Sequence, residues 1–160
     1  MNKVAVLIGS DTDRSTMEAA DKYYEHFGID CEILTMSAHR NPVEVHDFCT
    51  KAPSNGYKIL VGAAGMAAHL AGVIAAHTHK PVLGIPLGGG DLNGIDSLLS
   101  TVQMPKGIPV ATFAIGKSGA INAALFAVQI LSQNDETLSK QFDEYRTEQT
   151  AEVIKINEEN

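Results

Sequence analysis

The sequence predicts an α/β fold: a three-layer, doubly wound domain around a parallel five-stranded sheet, with an extra helix at the C-terminus. Five short, continuous apolar runs, rich in β-branched residues, are typical of strands that are buried on both faces of a sheet. The segments between them carry apolar residues at helical spacing, and helical crossovers join strands that pair in parallel. By analogy with other five-stranded sheets, we expect the strand order 2-1-3-4-5.

The first strand is KVAVLIG, a β-branched run that ends at a glycine. Apolar residues at helical spacing predict a helix over 14–27, and Gly28 is typical of the residue that closes a helix. In the loop between strand and helix, Ser10 or Asp11 is a candidate helix cap. The second strand is DCEILTM. These segments predict a βαβ unit.

The segment after the second strand carries the signals of a helix start. Asn41 is a good N-cap, and Pro42 follows at the first helical position. Glu44 stands three residues after the cap, where its side chain can reach back to the backbone of the cap residue. An apolar face follows, and the run YKILVGAA is then the third strand. The sequence therefore predicts a second helix that begins at Pro42.

The second half of the chain repeats the alternation of strand and helix. A small-residue helix is predicted over 66–77, the strand KPVLGIPL over 80–87, and a short helix over 94–103. The fifth strand is IPVATFAI, 108–115, and an Ala-rich helix follows over 119–133. We interpret GGGDLNG as a loop, and its Gly-rich part GGGD, 88–91, as a mobile one because it lacks a phosphate-loop lysine.

The remaining segment, 134–160, differs from the rest. Its apolar side chains repeat at steps of three and four and form a narrow stripe on a charged helix. We therefore divide the chain into a single α/β catalytic domain, 1–133, and a C-terminal helical extension, 134–160. The extension is expected to pack on a neighbouring subunit, and the alternative is a terminal helix that lies on its own domain.

Composition excludes several classes of function. The chain has 160 residues, of which 44% are hydrophobic and 19% charged, as in a globular domain. A net charge of −7 argues against nucleic-acid binding by bulk attraction. We find no signal peptide and no apolar stretch long enough for a membrane span, and we expect a cytoplasmic protein. Cys31 and Cys49 lack metal-ligand spacing and are expected to be reduced core residues.

Three loops of unusual composition should meet at one edge of the sheet. In doubly wound sheets, ligands bind beyond the carboxyl ends of the strands, where the strand order reverses. The expected order brings together GSDTD at 9–13, SAHRNP at 37–42 and AAGMAAHL at 63–70. The first loop could contact sugar hydroxyls and a phosphate, or it could merely cap a helix. The third could admit a planar ligand, or its small residues could serve helix–sheet packing.

The loop SAHRNP carries the residue types that bind and transform an anionic ligand. Arg40 can bind a phosphate through two hydrogen bonds, and Ser37 can add a donor. The helix that begins at Pro42 adds its positive end. His39 carries an imidazole, the side chain best suited to donate and accept a proton under physiological conditions. A charged surface turn would also explain the pair of His39 and Arg40.

Other kinds of site are not supported by the sequence. His77 and His79 lie beside a strand without a convincing third ligand, so no metal site is expected. There is no GxGxxG motif after the first strand, no Walker lysine motif and no GxSxG elbow. The chain has no tryptophan, which does not favour an aromatic sandwich around a flavin.

Taken together, GSDTD, SAHRNP, GMAAHLAG and GIDSLLSTVQMPKGIPVATFAIG resemble the PurE family of bacterial N5-carboxyaminoimidazole ribonucleotide mutases. The resemblance extends from Val4 to about Glu152. It implies a flavodoxin-like fold, a homo-octamer with active sites at subunit junctions, and a role in purine biosynthesis. It implies transfer of a carboxylate from the exocyclic N5 to C4 of an aminoimidazole ribonucleotide, with no metal, ATP or organic cofactor.

The resemblance also implies roles for individual residues. His39 is implied as the general acid and base. Ser10 and Asp13 are implied as contacts to ribose and phosphate, and Ser37 and Arg40 as phosphate ligands. One histidine that shuttles a proton is sufficient, because protonation of N5 releases carbon dioxide and leaves a nucleophilic carbon at C4 of the ring. Positioning and exclusion of water would supply the rest.

The third loop is implied to form the wall around the imidazole. Its members are the backbone of Ala64 and Gly65, with His69 and Leu70 as further substrate contacts. The sequence departs from the family pattern at Met66, where a second glycine is usual, and at the segment PLGGGD, which is usually polar. Two alternatives to the mutase remain: a carboxylase that uses free carbon dioxide, and a non-enzymatic nucleotide-binding module.

Overall fold

The computed structural model describes residues 2–159, and its order of elements is the predicted one. The strands are β1 (Lys3–Ile8), β2 (Asp30–Thr35), β3 (Tyr57–Gly65), β4 (Val82–Leu87) and β5 (Ala111–Thr112). The α-helices are α1 (Arg14–Met17), α2 (Asp21–His26), α3 (Pro42–Lys51), α4 (Leu70–His77), α5 (Ile95–Val102), α6 (Lys117–Ser132) and α7 (Glu136–Glu158). The boundaries of β2, β4, α5 and α6 lie within two residues of those predicted.

The five strands form one parallel sheet in the order β2-β1-β3-β4-β5, as predicted. In the central pairing, Val6 lies beside Val61 and Ile8 beside Ala63. The order reverses between β1 and β3, so the loops that follow these two strands flank the crevice. The sequence-based prediction of a doubly wound, flavodoxin-like fold is confirmed.

Helices cover both faces of the sheet. One hydrophobic core packs the β1, β3 and β4 side chains against α2 and α6, and includes Tyr24, Phe27 and Val128. The other core, which includes Leu7 and Ile74, packs the sheet against α3 and α4. These two buried layers explain why the strands are continuous apolar runs rather than alternating ones.

One glycine sets the distance between β3 and α4. A Cβ placed on Gly62 would lie 2.8 Å from the Cα of Ala71 and 2.9 Å from its nitrogen. A side chain there would push α4 away from the sheet. Gly62 therefore fixes the position of the helix whose N-terminal end faces the crevice.

The first predicted helix, 14–27, is interrupted. A 3-10 turn at Asp11–Asp13 precedes α1, and a second one at Glu18–Ala20 separates α1 from α2. The predicted apolar face is nevertheless buried, since the exposed fractions of Met17 and Phe27 are 3% and 4%. Neither Ser10 nor Asp11 caps these turns with its side chain, and the Asp11 carboxylate instead accepts a hydrogen bond from Arg14.

The predicted helix over 66–77 begins four residues later than expected, at Leu70. The N–H of Ala68 donates to the carbonyl of Met66, and the N–H of His69 donates to that of Ala67. These tight turns replace the first helical turn, although alanine favours a helix there. The residues 66–69 therefore form a loop above the crevice.

The fifth strand is much shorter than the predicted 108–115. Only Ala111 and Thr112 pair with β4 among the described residues. Proline at 105 and 109 removes backbone donors before the strand. The chain stays beside β4 through hydrogen bonds from Phe113 to Gly84 and from Gly116 to Pro86.

The C-terminal helix α7 has two different halves. In the first half, Leu138 is buried, and Phe142 and Tyr145 pack against Tyr23 and Phe27 of the same chain. In the second half, Val153 and Ile156 have exposed fractions of 60% and 58%. The alternative of a helix lying on its own domain therefore describes the first half. The intersubunit role stays a prediction for the second half.

Candidate active site

The three predicted loops meet at a cleft of about 520 Å³ beyond the carboxyl ends of the strands. All nine residues predicted for the site lie on its walls. They come from three stretches of chain, 10–13, 37–40 and 64–70. Because parallel strands end at the same edge of the sheet, β1, β2 and β3 bring these stretches together. Their chemical roles remain predictions.

The loop after β2 is held in shape by its own polar groups. The Ser37 hydroxyl accepts hydrogen bonds from the N–H groups of His39 at 3.4 Å and Arg40 at 3.3 Å. The N–H of Ser37 donates to Asn41 Oδ1 at 2.7 Å, and the N–H of Asn41 donates to the Ser37 carbonyl at 3.1 Å. Asn41 precedes α3 as predicted, but its side chain does not cap the helix. The side chain closes the loop that carries His39, so the predicted capping box is wrong.

Arg40 links the loops after β1 and β2. One of its guanidinium N–H groups donates to the carbonyl of Gly9. The side chain is exposed to the cleft, and a guanidinium has five N–H donors. Four therefore remain after the contact with Gly9, which is enough for a bidentate bond to an anion.

His39 and His69 face each other across the cleft. The Nε2 atom of His39 lies 2.8 Å from the Nδ1 atom of His69, and the same Nδ1 lies 3.1 Å from the carbonyl of Ala67. A carbonyl oxygen can only accept a hydrogen bond, so these contacts fit best with a proton on His69 Nδ1 and a lone pair on His39 Nε2. His39 is thereby oriented as a proton acceptor, with its ring exposed to the cleft.

The loop after β1 supplies a hydroxyl and a carboxylate. The hydroxyl of Thr12 donates to that of Ser10 at 2.9 Å. Partial burial raises the pKa of Asp13 above its ordinary value, while the backbone N–H of Ser10 and the charge of Arg40 oppose that effect. Asp13 thus stands close to the one strongly basic side chain of the cleft.

The β3–α4 loop forms the opposite wall from backbone and small side chains. Ala64 and Gly65 end β3, and Leu70 begins α4. The Leu70 side chain is buried in the core below, so the residue offers its backbone rather than its side chain to the cleft. This geometry suits a flat ligand that approaches the backbone closely.

Sequence reasoning missed part of the wall. The glycines at 88–90, which the sequence did not assign to the site, line the cleft beside Met66 of the predicted third loop. The glycine run was interpreted as a mobile loop because it lacks a phosphate-loop lysine. Its position directly after the carboxyl end of β4 was the signal that could have placed it at the site.

The two histidines for which the sequence offered no metal site lie outside this cleft. His77 and His79 line a separate cleft of about 520 Å³, and the rings of His77 and His46 are in contact, with centroids 4.7 Å apart. Within residues 2–159, no group of three or more His, Cys, Asp or Glu side chains could hold a metal ion. In the same range, no helix has the length and apolar character needed to cross a membrane.

Comparisons with known proteins show the family of the chain and support its fold. A model of the family described as "AIR carboxylase" matches residues 3–152. The N5-carboxyaminoimidazole ribonucleotide mutase of Escherichia coli K12 is 47% identical over 152 residues, which cover 95% of this chain and 90% of the relative. The mutase of Pyrococcus abyssi is also 47% identical, over 91% of this chain and 83% of the relative. The crystal structure of Treponema denticola PurE has a TM-score of 0.90 and 24% identity over 99% of this chain and 98% of that one, and it supports the fold.

Proposed function

The chain belongs to the AIR carboxylase family, and we propose that it is an isomerase of purine biosynthesis, an N5-carboxyaminoimidazole ribonucleotide mutase. Two relatives that carry this name are 47% identical to the chain over 90% and 83% of their length. The single observation that carries the mechanistic proposal is the 2.8 Å contact between His39 and His69 in a cleft that also contains Arg40. It combines a group that can move a proton with a group that can bind a phosphate.

The reaction we propose moves one carboxylate within one molecule. The proposed cycle starts from the form of His39 that has taken up a proton on Nε2, in place of the hydrogen bond from His69. This ring donates the proton to N5, the bond between N5 and the carboxylate carbon breaks, and its electron pair stays on N5. The products are carbon dioxide and aminoimidazole ribonucleotide. C4 of the ring then attacks the carbon dioxide, and His39 accepts the proton that C4 releases. The atoms and charges balance without a cofactor, because His39 ends in its starting state.

In this proposal, the polar residues of the cleft hold the nucleotide. Ser37 and Arg40 bind the phosphate, and Arg40 has N–H donors left after its contact with Gly9. Asp13 binds the ribose hydroxyls, and Ser10 binds the adjoining phosphate. The backbone of Ala64 and Gly65 lies against the imidazole. Fixing the ring next to His39 is worth more to the rate than any further chemical group, because the reaction needs no external reactant.

His69 and Leu70 complete the substrate contacts. The pairing of His69 Nδ1 with His39 Nε2 gives His69 a supporting role: it fixes the ring of His39 and the position of its lone pair. Leu70 contributes the first backbone N–H of α4, a helix end that favours negative charge. These contacts support a substrate whose carboxylate lies beside the paired histidines.

We further propose a homo-octamer in the cytoplasm. Helix α5 supports the assembly because its apolar residues are turned outward: Leu99 has an exposed fraction of 53%, while Ser97 and Thr101 are buried. The Ser97 hydroxyl is satisfied by the Leu87 carbonyl at 2.8 Å. Residues 1–133 would form the catalytic domain, and 134–160 the extension that reaches a neighbour. Free Cys31 and Cys49 fit a reducing compartment.

The proposed role of His39 is tested by His39→Asn. Asparagine keeps the size and polarity of the side chain but cannot carry the proton. General acid–base catalysis contributes about 10²–10⁴-fold, so we expect isomerisation to fall by at least about 10²-fold while binding of aminoimidazole ribonucleotide persists. The measurement is conversion between the two carboxylated isomers, with a titration for binding.

The matched control is His79→Asn, the same substitution at an exposed histidine outside the cleft. This variant should isomerise at the rate of the unmodified chain. Full isomerisation by His39→Asn would refute the proposed role. If the unmodified chain and the His79→Asn control both fail to act on the substrate but bind nucleotides broadly, the non-enzymatic alternative is supported.

A further inference from the structure

Met66 has a backbone conformation that methionine rarely adopts. Its φ angle is +51°, in the left-handed region that favours glycine. Its side chain is nonetheless 62% exposed. A long apolar side chain that is exposed on a strained backbone gains little from burial, so fold stability does not explain its presence.

The side chain lies against the glycine loop that follows β4. A Cβ placed on Gly90 would lie 3.4 Å from the Met66 Cγ and 3.7 Å from its Sδ. Both residues line the candidate active site. Met66 thus bridges the β3–α4 loop and the β4–α5 loop across the mouth of the cleft.

The glycine loop has little else to hold it at this place. Gly89 and Gly90 have positive φ angles of 147° and 64°. Within residues 2–159, neither of their N–H groups donates a hydrogen bond to the protein. A Cβ on Gly89 would meet no atom within 4 Å. Met66 is therefore the residue that Cβ atoms placed on Gly89 and Gly90 would meet within 4 Å among those described.

We propose that Met66 closes the mouth of the active site by packing its thioether on the loop at Gly90, and so retains the carbon dioxide released during the reaction. This inference rests on the proposed function, in which carbon dioxide has no bond to the nucleotide between the two steps. Carbon dioxide that escapes leaves aminoimidazole ribonucleotide as a by-product. An apolar, flexible side chain suits this task because it can adapt its shape to a bound ligand and shield that ligand from water.

The test is the ratio of aminoimidazole ribonucleotide released to isomerised product formed. We expect Met66→Gly to raise this ratio severalfold over that of the unmodified chain. Glycine accepts the left-handed backbone, so the midpoint of thermal unfolding should stay equal or rise. Met66→Leu keeps an apolar side chain of similar volume and should keep the low ratio.

The control for backbone strain is Asn93→Gly. Asn93 is the other described non-glycine residue with positive φ, at 49°, and it does not line the cleft. This variant should keep the low ratio. An equal ratio in an active unmodified chain and in Met66→Gly would overturn the inference and leave the proposed function intact. High release of aminoimidazole ribonucleotide by Met66→Leu would also overturn the inference. An unmodified chain that does not isomerise the substrate would overturn both the inference and the proposed function.

Discussion

At the scale of single residues, the site combines His39, a proton carrier, with Asp13, a carboxylate whose partial burial lowers the stability of the fold. His39 and His69 are 30 positions apart in sequence, yet their ring nitrogens lie 2.8 Å apart. The sequence identified both residues, but the hydrogen bond between them could not be inferred from it. Such a contact depends on how β3 ends and on the late start of α4, and both are tertiary effects. The effect of Asp13 on the free energy of unfolding can be measured.

Asp13→Asn should raise stability at neutral pH. Partial burial raises the pKa of Asp13 in the folded protein above the ordinary value of 3.8. At pH values between the pKa of Asp13 in the unfolded chain and its raised pKa in the folded protein, the folded state binds more protons than the unfolded chain. Stability therefore falls as the pH rises through this window. The loss persists at neutral pH and is removed in the asparagine variant. Thermal unfolding of both proteins at pH 7 and near pH 3.5 measures the difference.

The advantage of the variant should shrink as the pH approaches 3.5, where Asp13 is largely protonated in both states. A difference that is independent of pH, or a less stable variant at pH 7, would contradict this account. In the proposed function, Asp13→Asn should also weaken nucleotide binding by at least about tenfold, since a hydrogen bond to a charged group is worth about 1.5–3 kcal/mol.

At the scale of elements, the strands follow from local pattern and the loops do not. The runs KVAVLIG and YKILVGAA became β1 and β3 because an apolar run of this length can be buried only inside the sheet. Helix α4 begins at Leu70 rather than at 66 because the chain turns tightly over 66–69, and alanine-rich sequence gives no sign of such turns. Among the described residues, strand β5 pairs with β4 only at Ala111 and Thr112, because Pro109 removes a backbone donor from the predicted strand, an effect that the apolar pattern does not include.

The two halves of α7 predict different effects of truncation. A chain that ends at Gln149 loses exposed residues, so its unfolding midpoint should change little. A chain that ends at Gln133 also loses Leu138, which has an exposed fraction of 3%. Burial of one such leucine is worth about 1.5–3 kcal/mol, and the packing of Phe142 and Tyr145 adds to it. Chemical denaturation of the two truncated chains measures this difference.

The chain that ends at Gln149 also tests the assembly. If the second half of α7 contacts a neighbouring subunit, the chain that ends at Gln149 should have a lower mass in solution than the full chain. An unchanged mass would show that this half is not required for the oligomer. Equal stability of both truncated chains would contradict the packing of the first half on its own domain.

At the scale of the whole molecule, α5 is the clearest sign that the surface is incomplete. Its outward stripe contains Ile95, Leu99 and Val102, which recur at positions i, i+4 and i+7. Leu99→Asp should therefore prevent or weaken assembly, because it places a charge in the centre of an apolar contact. Ser100→Asp, at the adjacent exposed position, is the control and should assemble normally. Analytical ultracentrifugation of both variants measures the mass, and an unchanged mass for Leu99→Asp would exclude α5 from the interface.

The central claim is that one carboxylate moves within one molecule. It is tested most directly with substrate that carries carbon-13 in the carboxylate on N5, incubated with the pure protein in unlabelled bicarbonate and without ATP. We expect the C4 carboxylate of the product to keep the label. In a parallel reaction without added bicarbonate, we expect the product to form as well. A product that loses the label to the solvent pool, or that forms only when bicarbonate is supplied, would contradict the mutase and support the carboxylase.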